Sequence, residues 1–304
     1  MAAISSEDAR LLAAELPAPE VLEFTSDVFP ARRGVLEYRS AGPANAPAIM
    51  LLHGLGSSSA GYRAQLAGLA TEFRVIAWNA PGFGRSACLA AEQPVAADHA
   101  RALGDLLKAL GIERVAVLAG SSWGSVVAAA FASGMPQRLD ALLLSASNTA
   151  RGRLTGTARA DALAAMLRGA AGDEDRAVVA QRLLAPDAPP VVRALVERLR
   201  DAVTPGGWHQ AVHALFSVHT PDLLAEWRGA TAIVAGTEDK LAPIGVHAAV
   251  LMQALPQAHL HRLQGIGHMP KLEAPAYFNA LIRTLAHRQP HPVFSQPQGD
   301  LPCP

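Results

Sequence analysis

The sequence is short of three features that would each point to a particular class of protein. Only two of its 304 residues are cysteine, Cys88 and Cys303, so no disulfide framework is indicated. Basic and acidic residues balance at 26 each, which leaves no charge excess to hold a nucleic acid or an anionic membrane. No apolar run approaches the roughly 20 residues that a membrane span needs. We therefore predict a small-molecule substrate, with neither a nucleic acid nor a membrane as partner.

The two ends of the chain also lack the patterns of a packed or exported segment. Residues 1–20 contain four acidic side chains and lack the basic-then-apolar order of a secretory signal, so we expect an N-terminal extension on a cytoplasmic protein. Residues 289–304 hold five of the chain's 22 prolines and show no periodicity. This composition predicts a disordered tail.

Short apolar runs alternate with longer stretches of helical spacing, and half of the residues are apolar. This alternation is typical of an α/β fold, with a mostly parallel central sheet flanked by helices. A leading antiparallel hairpin is predicted from residues 21–29 and 35–39. The remaining predicted strands are residues 48–52, 74–78, 114–119, 141–145, 232–235 and 259–263.

Between residues 149 and 228 the strand pattern stops and only helical spacing remains. Helices are predicted over residues 154–168, 176–184, 191–203 and 208–216. About 80 residues are too many for a plain connection between neighbouring strands, so this segment is predicted to form a helical cap. The core would then comprise residues 21–148 and 229–288.

A serine in a glycine frame is the strongest chemical signal. Gly120-x-Ser122-x-Gly124 follows the apolar run 115–119 and precedes a helix of small residues, which is the setting of a nucleophile elbow. Ser121 and Ser125 lack the frame, because only Ser122 has glycine two residues away on both sides. A serine hydroxyl needs a base to take its proton and donors to hold the oxyanion that forms.

With these flanks the chain resembles the α/β-hydrolase superfamily over about residues 21–288. Besides the elbow, His53-Gly54-Leu55-Gly56 matches the loop in which the family places one oxyanion donor. The stretch from Asn79 to Ser86 resembles the family's Asp-x-x-Gly-x-Gly-x-Ser loop, with asparagine in place of aspartate. The resemblance implies that Ser122 is the nucleophile and that the backbone N–H groups of Leu55 and Trp123 form the oxyanion hole.

The family's chain order of serine, acid and histidine is also present. After the strand 232–235, the resemblance assigns the acid to Asp239, because Gly236, Asp239 and Pro243 fit Gly-x-x-Asp-x-x-x-Pro; Glu238 is the rival. The resemblance assigns the base to His268, in a glycine-bearing loop after the last predicted strand. His268 would take the proton of Ser122 while the acid fixes the imidazole tautomer.

No metal or organic cofactor is implied by these residues. His209 and His213 have the spacing of metal ligands, but no glutamate between them and no third ligand point to a zinc site. The Gly82-Phe83-Gly84 stretch lacks the third glycine of a dinucleotide fingerprint. We predict no bound metal and no cofactor.

The substrate is predicted from the walls of the site. A set of mostly apolar side chains is expected to line an apolar pocket, which favours a carboxylic ester of a small, largely apolar substrate. His53, Trp208, Phe216 and Met269 are the predicted substrate-binding residues, and Leu154, Met166, Leu167 and Leu223 are further candidate walls.

Other activities on the same triad remain open, because a fold alone does not choose among them. An enol-lactone or C–C bond hydrolase is the first alternative, although C–C hydrolases of the family usually carry tryptophan where Met269 stands. A proline iminopeptidase-like amidase is the next, although those enzymes usually have His-Gly-Gly-Pro-Gly in the first loop. The last is a ligand-binding module without catalysis, against which the complete set of Ser122, Asp239 and His268 argues.

Overall fold

A computed structural model describes residues 4–169 and 174–288, and its centre is one sheet of eight strands. The order across the sheet is β1-β2-β4-β3-β5-β6-β7-β8. Strands β1 and β2 run antiparallel to their neighbours and the others pair in parallel, which confirms the predicted α/β fold. The strands are β1 Glu20–Thr25, β2 Arg33–Ala41, β3 Ala48–Leu52, β4 Arg74–Trp78, β5 Val115–Ser121, β6 Leu139–Ser145, β7 Ala230–Gly236 and β8 His259–Leu263.

The predicted strands differ from the observed ones mainly where a neighbour decides the end. The first strand ends at Thr25 instead of residue 29, because a short 3-10 helix, Pro30–Arg32, forms the connection to β2. Strand β5 runs two residues beyond the predicted end, since Gly120 and Ser121 pair with Leu144 and Ser145 of β6. This extension brings β5 directly up to Ser122.

Both faces of the parallel strands are buried, which explains their nearly continuous apolar runs. In β3, Ile49 and Leu51 belong to a core cluster shared with the helix at residues 275–287, whereas Met50 and Leu52 belong to the cluster shared with the helices at residues 96–109 and 123–134. The helices outside residues 149–228 are α1 Ser6–Ala13, α2 Arg63–Leu69, α3 Ala96–Ala109, α4 Trp123–Gly134, α10 Ala248–Ala254, α11 Pro270–Glu273 and α12 Pro275–His287.

Residues 149–228, which we call the inserted segment, connect β6 to β7, and their described part contains helices and loops but no strand. The helices are α5 Gly156–Arg168, α6 Arg176–Leu183, α7 Pro190–Arg198, α8 Pro205–Phe216 and α9 Thr220–Leu224. The first four overlap the four predicted helices, and α9 was not predicted. A 3-10 helix, Leu199–Ala202, ends the third predicted stretch, because Pro205 starts a new helix that Thr204 caps.

Polar contacts hold the inserted segment against the strand-end loops. Gln210 of α8 accepts a hydrogen bond from the N–H of Leu89 (2.9 Å) and donates to the carbonyl of Ala91 (2.8 Å). Thr204 donates to the carbonyl of Gly82 at 2.5 Å. The assignment of this segment as a separate cap stays a prediction.

The predicted N-terminal extension contains α1, which packs on the body of the protein. Leu11 and Leu12 are buried in a cluster beside α2, and Asp8 accepts a hydrogen bond from the N–H of Ala276 in α12 at 2.8 Å. The predicted tail 289–304 lies outside the described residues. Within the described ranges, no helix combines the length and apolar character required to cross a membrane.

Candidate active site

Ser122 is the single residue between strand β5 and helix α4, and its backbone has an unusual conformation. Its φ of 54° and ψ of −118° lie in a region that residues with a side chain rarely adopt. The N–H of Ser122 donates to the carbonyl of Ser145 at 2.8 Å, and the Ser122 carbonyl accepts bonds from the Ser125 N–H (2.9 Å) and hydroxyl (2.6 Å). These bonds hold the sharp turn in place.

The two glycines of the frame are required by close backbone contacts. A Cβ at Gly120 would lie 2.4 Å from the carbonyl oxygen of Gly124, and a Cβ at Gly124 would lie 2.2 Å from that of Leu52. Both distances are shorter than any real carbon contact, so no larger residue fits without a shift of the backbone. Strand β3, strand β5 and helix α4 therefore meet at Ser122.

Asp239 and His268 form a buried hydrogen-bonded pair. The Nδ1 atom of His268 lies 2.8 Å from Oδ2 of Asp239. Oδ1 of Asp239 accepts the N–H groups of Leu241 (2.9 Å) and Ala242 (2.8 Å). Burial alone would raise the pKa of Asp239, but the hydrogen bond and charge of His268 and the two N–H groups outweigh it and lower the pKa. An ionised Asp239 keeps the proton of His268 on Nδ1 and leaves Nε2 as an acceptor.

The rival acid, Glu238, is not brought to the histidine. Its backbone N–H donates to the carbonyl of Ile266 at 2.9 Å, and its side chain is half-buried. The side chain of Asp239, by contrast, is 0% exposed and that of its partner His268 is 7% exposed. The geometry pairs His268 with Asp239.

Glu273, which was not predicted as a site residue, holds the loop of His268 through hydrogen bonds. Its carboxylate accepts the N–H groups of Gly267, Met269 and Ala185, the last at 2.9 Å. Burial raises the pKa of Glu273, although these N–H groups oppose the increase. The backbone N–H of His268 donates to the carbonyl of Leu183 at 2.7 Å, so the loop is also tied to helix α6. A single glutamate five residues after a histidine is not a recognisable motif, so the sequence did not indicate this role.

A cavity of about 410 Å³ joins these residues to the inserted segment. Ser122 and His268 line it, as do Leu55 and Trp123. Among the described residues, no acceptor takes the backbone N–H of Leu55 or of Trp123. A larger depression of about 980 Å³ lies at the opposite ends of β6, β7 and β8, lined by Leu139, Ala230 and His259, and none of the predicted site residues reaches it.

Two of the four predicted substrate-binding residues line the 410 Å³ cavity that contains Ser122, and two do not. Trp208 and Met269 line it, as does Met166. His53 does not line the cavity, which corrects the prediction that it binds substrate. It is fully buried, its Nε2 accepts the N–H of Ala80 at 3.0 Å, and burial lowers its pKa to about 4. The prediction that Phe216 binds substrate is also corrected, because Phe216 is 1% exposed and packs in the core. Leu154, Leu167 and Leu223 also pack against the core instead of lining the cavity.

His53 joins two loops. With Nε2 accepting from Ala80, the proton of the neutral ring is on Nδ1, which donates to the carbonyl of Gly54 at 2.8 Å. The glycine-bearing loop after β3 is thereby tied to the loop after β4. His53 therefore fixes the position of the backbone next to Leu55 and does not face the cavity.

The departure at position 79 is explained by a neighbouring carboxylate. The Asn79 side chain donates to Glu37 and accepts the N–H of Ser59 at 2.7 Å. Glu37 also accepts from Arg85 at 2.7 Å. An aspartate at position 79 would place a second negative charge against Glu37, so asparagine fits this site.

The cavity wall is mostly apolar, and it also contains charged side chains that were not predicted. Arg151, Arg182, Arg200 and Lys271 face it together with one acid, Glu174. Glu174 pairs with Arg182 at 2.5 Å. In residues 4–169 and 174–288, no carboxylate forms an ion pair with Arg151, Arg200 or Lys271, and the Nε of Arg151 is buried without a hydrogen-bond partner. Most of the lining is apolar, as expected, and the cations are what the apolar spacing of the sequence did not reveal.

The described residues contain no cluster of three or more histidine, cysteine, aspartate or glutamate side chains that could hold a metal ion. The rings of His209 and His213 lie 4.5 Å apart between centroids. Neither histidine lines the cavity that holds Ser122 and His268.

Comparison with known proteins matches residues 47–275 to the family model of the alpha/beta hydrolase fold. An uncharacterized protein of Mycobacterium tuberculosis is 31% identical over 294 residues, covering 87% of this chain and 81% of the relative. A 2-hydroxy-6-oxononadienedioate/2-hydroxy-6-oxononatrienedioate hydrolase of Pseudomonas putida is 27% identical over 260 residues, covering 81% and 90%. A solved structure of an esterase from Thermogutta terrifontis superposes with a TM-score of 0.77 at 24% identity, covering 88% of this chain and 98% of that chain.

Proposed function

Because the chain belongs to the α/β-hydrolase family, we propose that it is a serine hydrolase that cleaves a carboxylic ester of a small substrate through an acyl-enzyme. One observation carries this proposal. The strained Ser122 opens into the same cavity as His268, whose Nδ1 is held by the buried Asp239 at 2.8 Å. This is the arrangement that a serine nucleophile needs.

The proposed reaction has two halves. Nε2 of His268 accepts the hydroxyl proton of Ser122 as the serine oxygen attacks the ester carbonyl, and Asp239 stabilises the imidazolium. The backbone N–H groups of Leu55 and Trp123 hold the oxyanion of the tetrahedral intermediate. His268 then protonates the leaving alcohol, and the acyl group stays on Ser122. Water, deprotonated by His268, attacks the acyl-enzyme and releases the acid.

The charges of the cavity support a substrate that bears a carboxylate. Arg200 lies beside the loop after β3: its Nη1 would be 3.4 Å from a Cβ added at Gly56. The Arg200 guanidinium stacks on Trp208, 5.4 Å from the ring centroid, and is thereby held toward the cavity. A planar guanidinium without an acidic partner is well suited to bind a carboxylate in two parallel hydrogen bonds. We therefore keep a largely apolar substrate and add a carboxylate at one end of it.

A C–C bond hydrolase is the second candidate, and the same cations favour it. The Pseudomonas putida relative is named for a dienedioate, which is a dicarboxylate. Met269 stands against it, because C–C hydrolases of the family usually have tryptophan after the histidine. The substrate test must therefore include one compound of this class.

A matched pair of esters tests the function and the charge together. The p-nitrophenyl monoester of adipate and p-nitrophenyl hexanoate have acyl chains of equal length, and only the first ends in a carboxylate. We expect kcat/KM for the adipate ester to exceed that for hexanoate by about 10-fold or more, since an ionic hydrogen bond contributes about 1.5–3 kcal/mol. Turnover of neither ester, with turnover of a 2-hydroxy-6-oxo-dienoate, would favour the second candidate.

A further inference from the structure

Lys271 is an unusual side chain at this site, because it is buried beside the Ser122 turn without an acid. It is 1% exposed, and its Nζ donates to the hydroxyl of Ser121 at 3.0 Å. The same Nζ lies 5.1 Å from the ring centroid of Tyr62 and 3.9 Å from the sulfur of Met269. No carboxylate of the described residues lies within ion-pair distance. Burial of an ammonium without an ionic partner costs folding free energy, so a lysine at this position calls for an explanation.

The position of Lys271 links two parts of the proposed machinery. Ser121 is the last residue of β5 and directly precedes Ser122, whereas Lys271 follows His268 by three residues. One hydrogen bond therefore joins the strand that carries the nucleophile to the segment that carries the base. Lys271 and Ser121 both line the cavity, together with Leu55.

We propose that Lys271 is a positioning residue of the hydrolytic reaction, which as an ammonium holds Ser121 and places a positive charge behind the oxyanion site. This role rests on the proposed function. A fixed charge near the developing oxyanion stabilises the transition state more than the ground state, so its loss lowers kcat more than it changes KM. The hydroxyl of Ser121 relays the charge, and Ser121 itself is not the nucleophile.

The groups that face Lys271 make its ammonium responsive to pH. Burial, opposed by the charge of Glu273 on the same helix, lowers the pKa of Lys271 to about 7. Tyr62, on the 3-10 helix packed against it, stays neutral because burial raises its pKa. His53, on the loop after β3, is neutral above its pKa of about 4. His268 is the remaining titratable group, on the loop that precedes Lys271. The ammonium is present below about pH 7 and is lost above it.

The first experiment is a pH profile of kcat with the adipate ester for the wild type and Lys271→Met. We expect wild-type kcat to fall on the alkaline side as Lys271 loses its proton. Lys271→Met should lack the alkaline decrease, with kcat at pH 6.5 lower by about 10 to 100-fold and KM changed by less than about 3-fold. Lys108→Met is the matched control, because Lys108 is exposed on α3 and does not line the cavity.

A second measurement observes the ammonium without any substrate. The chain has three lysines, Lys108, Lys240 and Lys271, so ¹³C labelling at Cε gives three side-chain signals. The signal that is absent from Lys271→Met belongs to Lys271, and we expect it to titrate near pH 7. A Lys271 signal with the chemical shift of a neutral amine throughout pH 6 to pH 8 would overturn the proposal, because no ammonium would then be present.

A double-mutant cycle tests the bond to Ser121. If Lys271 acts through this hydroxyl, Ser121→Ala and Lys271→Met should each lower kcat, and the double variant should lose less than the product of the two effects. Independent effects would contradict the relay. A wild type inactive on every ester and on the dienoate overturns the proposed function, whereas turnover with an unchanged alkaline decrease in Lys271→Met overturns only the role of Lys271.

Discussion

The two walls of the cavity differ in how deeply their side chains are buried. On the sheet side, Ser122, Asp239 and His268 stand on strand-end loops whose backbone is fixed by hydrogen bonds and close glycine contacts. On the other side, the inserted segment contributes Arg200 and Trp208, which are only half-buried. Reaction chemistry needs atoms placed within a fraction of an ångström, whereas substrate choice tolerates a wall that adapts. We therefore expect substitutions on the sheet side to abolish turnover and substitutions on the inserted segment to change the substrate.

The largest effect should come from Ser122→Ala. Without the hydroxyl no acyl-enzyme forms, and kcat for the adipate ester should fall by about 10⁴ to 10⁶-fold. Ser133→Ala, an exposed serine on the same helix α4, is the control and should keep wild-type activity. Steady-state kinetics on both variants checks this, and substantial activity in Ser122→Ala would mean that the nucleophile lies elsewhere.

Asp239→Asn should have the next largest effect. The amide cannot stabilise the imidazolium and can turn the histidine to the wrong tautomer, so we expect kcat to fall by about 10⁴-fold. Glu238→Gln is the neighbouring control and should stay within about 2-fold. An equal loss in the two variants would show that the pairing of His268 with Asp239 does not decide the rate.

On the inserted segment, Arg200→Met should change selectivity. We expect kcat/KM for the adipate ester to fall by about 10 to 100-fold, because one ionic hydrogen-bonding partner is lost, while hexanoate turnover changes little. Arg193→Met, a half-buried arginine on helix α7 that does not line the cavity, should leave the ratio of the two esters unchanged. If Arg200→Met lowers kcat/KM equally for the two esters, the arginine does not bind the substrate carboxylate.

The smallest expected effect is on stability, and it compares two glycines of helix α4. Gly124→Ala should lower the free energy of unfolding by about 1–3 kcal/mol, since the new Cβ would lie 2.2 Å from the Leu52 carbonyl oxygen. Gly134→Ala meets no atom within 4 Å and should be neutral or slightly stabilising. Urea denaturation of both variants measures the difference, and equal stability would remove the steric reason for the frame.

Much of the fold was predictable because the signals were local. Strands β3, β4 and β8 have the predicted bounds. Strands β3 and β4 are short apolar runs closed by loops that contain glycine, asparagine or proline. The end of β1 was not predictable, because a 3-10 helix in the connection decides where pairing stops. Local patterns therefore determine which strands form, and tertiary contacts determine their ends.

The site was predictable where a backbone turn or a motif fixes a residue, and not where a side chain chooses its direction. The turn at Ser122 requires glycines on both sides, so the sequence reveals it. His53 sits in the right loop, yet its ring turns inward to meet the N–H of Ala80, a partner 27 residues away. Arg200 and Lys271 were missed because the partners that orient them, Trp208 and Ser121, are brought near only by the folded chain.

Trapping the acyl-enzyme analogue tests the central claim most directly. A p-nitrophenyl phosphonate ester should add one phosphonyl group per chain, and peptide mass spectrometry should locate it on Ser122. The adduct should be absent in Ser122→Ala and present in Ser133→Ala. An adduct on Ser121, or no adduct in a wild type that is folded and turns over ester, would contradict the account.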